Sequence, residues 1–467
     1  MGGLFKGSFM KSKHYHFIGI GGMGMGTLAS LLLAKGHKVS GSDLKDNELT
    51  AQLRKNGASV AIGHQANHIQ NPNYVVYSSA IPMNNPEMIE SVSRQLPLLK
   101  RAQVLAQLVN EQAGITIAGA HGKTTTTSMV SYLLLNAGLQ PTTAVGGIIN
   151  GHTYNAHLGE GKYFVAEVDE SDGTFLYFRP TYSIITNIDF EHVDFYKDWQ
   201  GILEAYRKFI NCTMKGGCVI TCGEDQRLKA LVKESKKQAV FYGFNHTCDV
   251  WAKNIVMDGF HSRFECYTKT AKLADFELIV PGRHNVLNAL ACISLGLGLG
   301  ISVEMMQKTL KEFSGVKRRF QLKASVDDIM VIDDYGHHPT EIIATLEAAR
   351  GFHKKRLVTV FQPHRYSRTK FLLNEFVQSL SLTDWLIITD IYAASEKPFE
   401  GAGIKNLLEP LQKALGNRVV YLKKEEILNH LIDFVQSGDL VLFLGAGDIY
   451  HCSDDLVNIL NKKKVMV

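Results

Sequence analysis

The seven cysteines of this 467-residue chain form no Cys-x-x-Cys pair; Cys218 and Cys222 lie nearest each other, after Cys212. An odd, scattered set argues against a disulfide framework or a thiolate zinc site, and fits reduced thiols in a cytosol. No apolar run reaches the roughly 18 residues that a membrane-crossing helix needs. Residues 1–13 are basic and lack the apolar stretch of a secretory leader. The expectation is a cytoplasmic protein with no membrane insertion. Charge of one sign is also scarce: 50 Lys and Arg face 45 Asp and Glu, a net of +5. So small an excess gives no reason to expect a nucleic acid partner. Low-complexity runs and short repeats are missing too. What remains is a globular chain with length for about three domains of roughly 150 residues each.

Three glycine-rich turns follow apolar strands, at residues 19–24, 119–124 and Gly445-Ala-Gly447. The middle one, within Ile115 to Thr127, carries chemistry. Gly119 and Gly122 let the backbone approach a phosphate, Lys123 supplies a cation, and Thr124 a hydroxyl for Mg²⁺. The amides that follow open a helix, whose N-terminus favours anions. The spelling Gly-x-x-Gly-Lys-Thr is shorter than the common phosphate loop, because Ile117 stands where that pattern has its first glycine. A turn with a surface lysine would leave the coincidence of strand, glycines, lysine and four threonines unexplained. Since neither other turn has Lys-Thr, the triphosphate is expected in the middle domain. The first turn, Gly19-x-Gly21-x-x-Gly24 with Asp43 at the end of the next strand, is a dinucleotide-type fingerprint that suits a nucleotide diphosphate. The third turn reads as packing.

Periodicity predicts a helix from Thr27 to Lys35 and strands at 14–20, 38–43 and 73–79. It predicts a helix over 123–137, strands at 163–167 and 182–186, and antiparallel strands between Asp249 and Val280. In the last third, strands are expected at 329–333, 356–361, 385–389, 418–422 and 440–444, with helices between. The fold class is therefore α/β, with parallel sheets covered on both faces. The expected domains are 1–111, 112–316 and 317–467.

Strand C-terminal ends are where such sheets place ligands. Glu167-Val-Asp-Glu-Ser-Asp172 puts four acids in six positions after the apolar 163–166, so Glu167 is a candidate metal carboxylate. His192 follows the next strand and is a candidate for a second metal or the γ-phosphate. Arg365 and Arg368, three apart after an apolar strand, suit a carboxylate or phosphate. Lys317-Arg-Arg-Phe320 sits at the second junction, within reach of a nucleotide if the domains close.

The ordered motifs Gly19-Ile-Gly-Gly-Met-Gly-Met-Gly26, Ser78-Ser-Ala-Ile81, Ala118 to Thr127, Ala166 to Asp172, Gly282-Arg-His-Asn-Val-Leu-Asn288, Arg318-Arg-Phe320, Asp333-Asp-Tyr-Gly-His-His338 and Phe361-Gln-Pro-His-Arg365 span almost the whole chain. Together they make it resemble the Mur ligases. The resemblance implies a Rossmann-like N-terminal domain for a UDP sugar, a central P-loop ATPase-type domain, and a Rossmann-like C-terminal domain that receives the amino acid. It implies that ATP drives the joining of L-alanine to UDP-N-acetylmuramate, with Mg²⁺, in a monomer or homodimer.

Carried over position by position, the resemblance gives ATP to Gly119, Ala120, His121, Gly122, Lys123, Thr124 and Thr125, with Asn285, Asn288 and Arg319. Thr124 and Glu167 would hold one Mg²⁺ and His192 the second; Arg319 and Asp334 would complete the catalytic set. Gly21, Gly22, Met23 and Gly24 would face the UDP diphosphate, with Asp43, His64 and Ser79 as further contacts. Tyr335, His337, Arg365 and Arg368 would surround the alanine. Ala120 stands where this family often has Thr, and Phe190-Glu191 departs from the pattern before His192, which leaves Glu191 without a role. No lysine matches the carbamylated lysine that other members use. Three other readings compete: a relative that attaches a tripeptide to the same sugar, a dinucleotide oxidoreductase resting on Gly19 to Asp43 alone, and a nucleotide-gated binding protein.

Overall fold

The computed structural model describes residues 12–148, 150, 156–352, 354–394 and 396–465. Residues 1–11, which carry most of the basic start, lie outside them. Three sheets follow one another along the chain. The first is all parallel, in the order Ser59–Ile62, Lys38–Asp43, His14–Ile18, Tyr74–Tyr77, Leu98–Lys100. Strand order reverses beside His14–Ile18, which opens a crevice at its C-terminal end. The residues after that strand are the first glycine turn.

Among the described residues the central sheet has ten strands. Ala113–Ala118 runs between Tyr163–Glu167 and Tyr182–Ile185, parallel to both. Ile115, Ile117, Val165, Ile184 and Ile185 are fully buried, so these strands are apolar because helices cover both faces. Beyond Ala239–Gly243 the sheet continues as the antiparallel strands Val250–Asp258, His261–Thr268 and Lys272–Leu278, as the alternation predicts. In the third sheet the strands Ile329–Asp334, Asp439–Leu444, Arg356–Phe361, Trp385–Ile388 and Val419–Tyr421 are parallel, close to the expected limits.

Two differences from the expected elements have local causes. The third sheet gains an antiparallel edge strand, Gln321–Val326, paired with Ile329–Asp334. Its burial is mixed, so it lacks the apolar run that marks the buried strands. The first helix begins at Met23 rather than Thr27, with Gly22 as its cap. Gly24 and Gly26 are therefore helical. A Cβ on Gly24 would lie 2.8 Å from Arg101 Nη1, and one on Gly26 2.3 Å from Leu49 Cδ2. These glycines allow close packing, where the sequence suggested only a turn. Among the described residues no helix is long and apolar enough to cross a membrane.

Candidate active site

The strand Ala113–Ala118 delivers the phosphate loop to the sheet's C-terminal edge, and its neighbours deliver Glu167 and the 186–192 segment to the same edge. Topology thus gathers groups that are 40 to 70 positions apart in sequence, about as far as two βα units reach. Gly119 has φ +131°, and a Cβ there would lie 2.1 Å from Thr186 Oγ1. Gly122 has φ +78°, and its Cβ would lie 2.6 Å from Asn288 Oδ1. Both positions therefore require glycine for conformation and for space. The helix Lys123–Asn136 starts directly after Gly122, with no capping side chain and no acid in its first turn. Its N-terminus is left for an anion.

Lys123 turns into the loop. Its Nζ donates to the carbonyls of Gly119 and Ala120 and to both carboxylate oxygens of Glu170, at 2.9 and 3.0 Å. Burial alone would lower its pKa, but Glu170 and the carboxylates around it raise it, so the side chain stays charged. Thr124 Oγ1 donates to Glu167 Oε1 at 3.1 Å, and the other Glu167 oxygen accepts from the Gly146 amide. His192 Nε2 lies 3.4 Å from Glu170 Oε1, and the ligand atoms of Asp169, Glu170 and His192 all lie within 4.8 Å of one another. His192 has φ +55° and Arg365 φ +70°, left-handed conformations that are unfavourable for side chains of this kind. Backbone strain of this sort gathers where geometry serves a site.

A cavity of about 490 Å³ lies between the loop and the third domain. His121, Gly122, Thr125, Asn285, Asn288, Arg319 and Asp334 all line it, which brings most of the expected ATP residues together. Asn288 accepts from Thr126 Oγ1 and donates to Asn285 Oδ1, while Asn285 donates to the Pro281 carbonyl. Asp334 accepts from the amides of Phe320 and Gly336 and from Thr345, so it braces the entry to the third domain. Arg319 lies over the Tyr335 ring and 3.7 Å from Glu341. Tyr335, His337 and His364 form a run of edge-to-face rings.

The wall between the central and third domains is more polar than the motifs suggest. His121 Nε2 pairs with Asp189 Oδ2 at 2.8 Å, and Nδ1 lies 3.4 Å from Glu341. Burial alone would lower the His121 pKa, but Asp189 and Glu341 push it up to about 10. Burial would raise the Glu191 carboxyl, yet His337 and the Arg368 guanidinium hold it well below the usual carboxylate range. Arg365 lies 3.6 Å from Glu396.

The first glycine turn faces a second cleft of about 340 Å³, lined by Gly22, Met23, Gly24, Ser78, Arg101, Glu167 and Asp169 among others. The cleft joins the expected sugar-nucleotide turn to the expected metal carboxylate. Asp43 faces back into the turn and accepts from the Gly21 amide at 2.8 Å. His64 points to Ser42 Oγ at 2.9 Å and to the fully buried Glu87 at 3.3 Å. Burial would raise the Glu87 carboxyl; bonds from His16 and Ser42 bring it down to about 2. Ser79 is exposed, and its neighbour Ser78 lines the cleft.

Four residues of this region were not singled out from sequence. Glu170 lay unresolved within the acidic run, and only Lys123 distinguishes it. Asp189, Glu341 and Arg101 sit in stretches with no pattern of their own, so only contact across domains reveals them.

The chain belongs to the Mur ligase family. Models of the family match in three segments: "Mur ligase family, catalytic domain" over 14–113, "Mur ligase middle domain" over 117–296, and "Mur ligase, glutamate ligase domain" over 318–447. A UDP-N-acetylmuramate–L-alanine ligase of Trichlorobacter lovleyi is 44% identical over 448 residues, covering 95% of this chain and 98% of the relative. The crystal structure of UDP-N-acetylmuramate-alanine ligase from Thermotoga maritima is similar at a TM-score of 0.82 and 30% identity, over 97% of this chain and 100% of that one. A murein peptide ligase from Psychrobacter arcticus aligns at a TM-score of 0.71 and 25% identity, over 96% of this chain and 99% of that one. The expected family and three-part α/β architecture are borne out by these matches.

Proposed function

We propose that this chain is an ATP-dependent ligase of peptidoglycan precursor synthesis, joining L-alanine to the lactyl carboxylate of UDP-N-acetylmuramate. One observation carries the reading: Glu167, which lines the cleft beside the first glycine turn, accepts from Thr124 of the phosphate loop, and the flanking loop residues Gly122 and Thr125 line the cavity that faces the third domain. The near-full-length similarity to alanine ligases supports the choice of substrates. Residues 1–111 would hold the UDP sugar, 112–316 the ATP, and 317–467 the amino acid. The protein would act in the cytoplasm as a monomer or homodimer.

A carboxylate is inert to an amine until its oxygen becomes a leaving group. In the proposed reaction the lactyl carboxylate oxygen attacks the γ-phosphorus and ADP leaves, giving an acyl phosphate. The alanine amine then attacks the carbonyl and phosphate departs. Two anions must first meet. Lys123 and the helix N-terminus offset that repulsion and favour charge on the transferred group. The Thr124 and Glu167 oxygens lie 3.1 Å apart, close enough for both to serve one Mg²⁺. Thr124 and Glu167 would hold one Mg²⁺ and His192 a second, supplying positive charge on the phosphate oxygens. Asn285, Asn288 and Arg319 would position the nucleotide, Asp334 would brace the domain junction, and Arg365 and Arg368 would take the alanine carboxylate, with Tyr335 and His337 beside it. Closure of the domains would keep water from the acyl phosphate.

Phosphate release measured across sugars and acceptors tests the whole reading. Release is expected with ATP only when UDP-N-acetylmuramate and L-alanine are both present. A purified chain that makes no alanyl amide under those conditions overturns it. Faster release with a tripeptide acceptor would assign the chain to the murein peptide ligase activity instead.

A further inference from the structure

The pocket assigned above to the amino acid is closed by one of the protein's own carboxylates. Glu191 belongs to the segment after the central strand Tyr182–Ile185, yet its Oε1 accepts from Arg368 Nη2 of the third domain at 2.7 Å. Each side chain is only 9% exposed. Arg368 Nη1 is held by the carbonyl of His364 at 3.0 Å. Its Nε, buried on the edge it shares with Nη2, has no hydrogen-bond partner among the described residues. A guanidinium meets a carboxylate best through two parallel N–H···O bonds. Glu191 occupies one half of that edge and leaves the other half unfilled. The adjoining cavity, walled by Phe190, Phe371 and Leu372, measures about 20 Å³. That is room for one water and too little for an amino acid.

We propose that Glu191 stands in for the substrate carboxylate: it holds Arg368 until the amino acid's carboxylate takes Nε and Nη2 together, and the displaced Glu191 then receives the ammonium. The inference rests on the amino acid pocket proposed above. No covalent step is involved, only an exchange of ionic partners. Off Arg368, Glu191 keeps only the His192 and His337 imidazoles, each 3.8 Å away, and a buried carboxylate that loses its close guanidinium without a new partner is costly. The pocket therefore favours zwitterions. A carboxylate without an ammonium must displace Glu191 and offers it nothing in return.

Propionate, which is alanine without its amino group, is the probe. The full-length enzyme is assayed with ATP and UDP-N-acetylmuramate, with propionate competing against L-alanine. In Glu191→Gln the inhibition constant of propionate should fall about tenfold, because a charge-assisted bond no longer competes for Arg368. The KM for L-alanine should move less, since the loss of the competitor and the loss of the ammonium partner oppose each other. Glu191→Asp, one methylene shorter, should shift propionate the same way by less. An unchanged or higher propionate constant in both variants, with wild-type thermal unfolding, overturns the proposal. Arg368→Gln separates the two levels: it should weaken both alanine and propionate. If it affects neither, the pocket assignment itself fails, whatever the Glu191 variants do.

Discussion

The first and second glycine turns begin alike and end differently. Each follows a buried parallel strand, and each opens a helix whose cap is a glycine. In the first turn the protein's own acid fills the loop, with Asp43 accepting from the Gly21 amide, and Gly22 has an ordinary φ of −68°. In the second turn a part-buried cation fills it, with Lys123 on Glu170, and Gly122 is left-handed. The same backbone idea therefore leaves one turn filled by an acid and the other by a cation, which under the proposed function suits the first to a diphosphate and the second to phosphoryl transfer. What separates them is the charge that neighbouring strands bring to the loop, more than the loop itself.

The largest test of this contrast is Lys123→Ala. Phosphate release should fall by about a thousandfold or more, the scale of removing one group that stabilises transition-state charge. Binding of UDP-N-acetylmuramate, followed by calorimetry, should stay nearly unchanged. A parallel loss of sugar binding would mean that the two turns form one site.

A smaller effect separates the backbones. Gly122→Ala would force a left-handed φ and place a Cβ against Asn288, so unfolding in denaturant should show a loss of about 3 kcal/mol. Gly22→Ala meets only the Gly19 carbonyl at 3.5 Å, and should change stability by less than about 1 kcal/mol. Equal losses would show that the turns are under the same constraint.

The smallest effect depends on pH. His121 is raised from 6.5 to about 10 in the folded state. A folded pKa above the unfolded one adds stability that is complete below about pH 6.5 and is lost as pH rises toward 10. The Asp189 carboxyl is held below its ordinary value, so its share is lost only in acid. The difference in unfolding free energy between wild type and His121→Asn should thus be largest near pH 6, at about 2 kcal/mol, and should shrink toward about pH 10. In the first turn, by contrast, Asp43→Asn keeps an acceptor for the Gly21 amide. A flat difference for His121 would mean that its pairing with Asp189 does not hold in solution.

The buried strands were legible because a strand covered on both faces must be apolar along its length. The third-sheet strands Ile329–Asp334 and Arg356–Phe361 fall close to the expected limits for that reason. The edge strand Gln321–Val326 was not legible, since one exposed side leaves a mixed pattern. The reach of the first helix back to Met23 was hidden because its glycines are explained by Leu49 and Arg101, which lie elsewhere in the chain.

The site divides along the same line. Gly119, Gly122, Lys123 and Thr124 announced a phosphate loop by themselves, because loop, cation and hydroxyl are local in sequence. Glu167 was legible as a strand end, His192 as part of the segment after the next strand, and Arg365 and Arg368 as a pair three apart. Which acid would meet which cation was decided only by the tertiary structure. Glu170 rather than Asp172 reaches Lys123, Asp189 meets His121, and Glu191 meets Arg368 across two domains. Coulomb pairing depends on distance and burial, and neither is set until the strands take their order in the sheet.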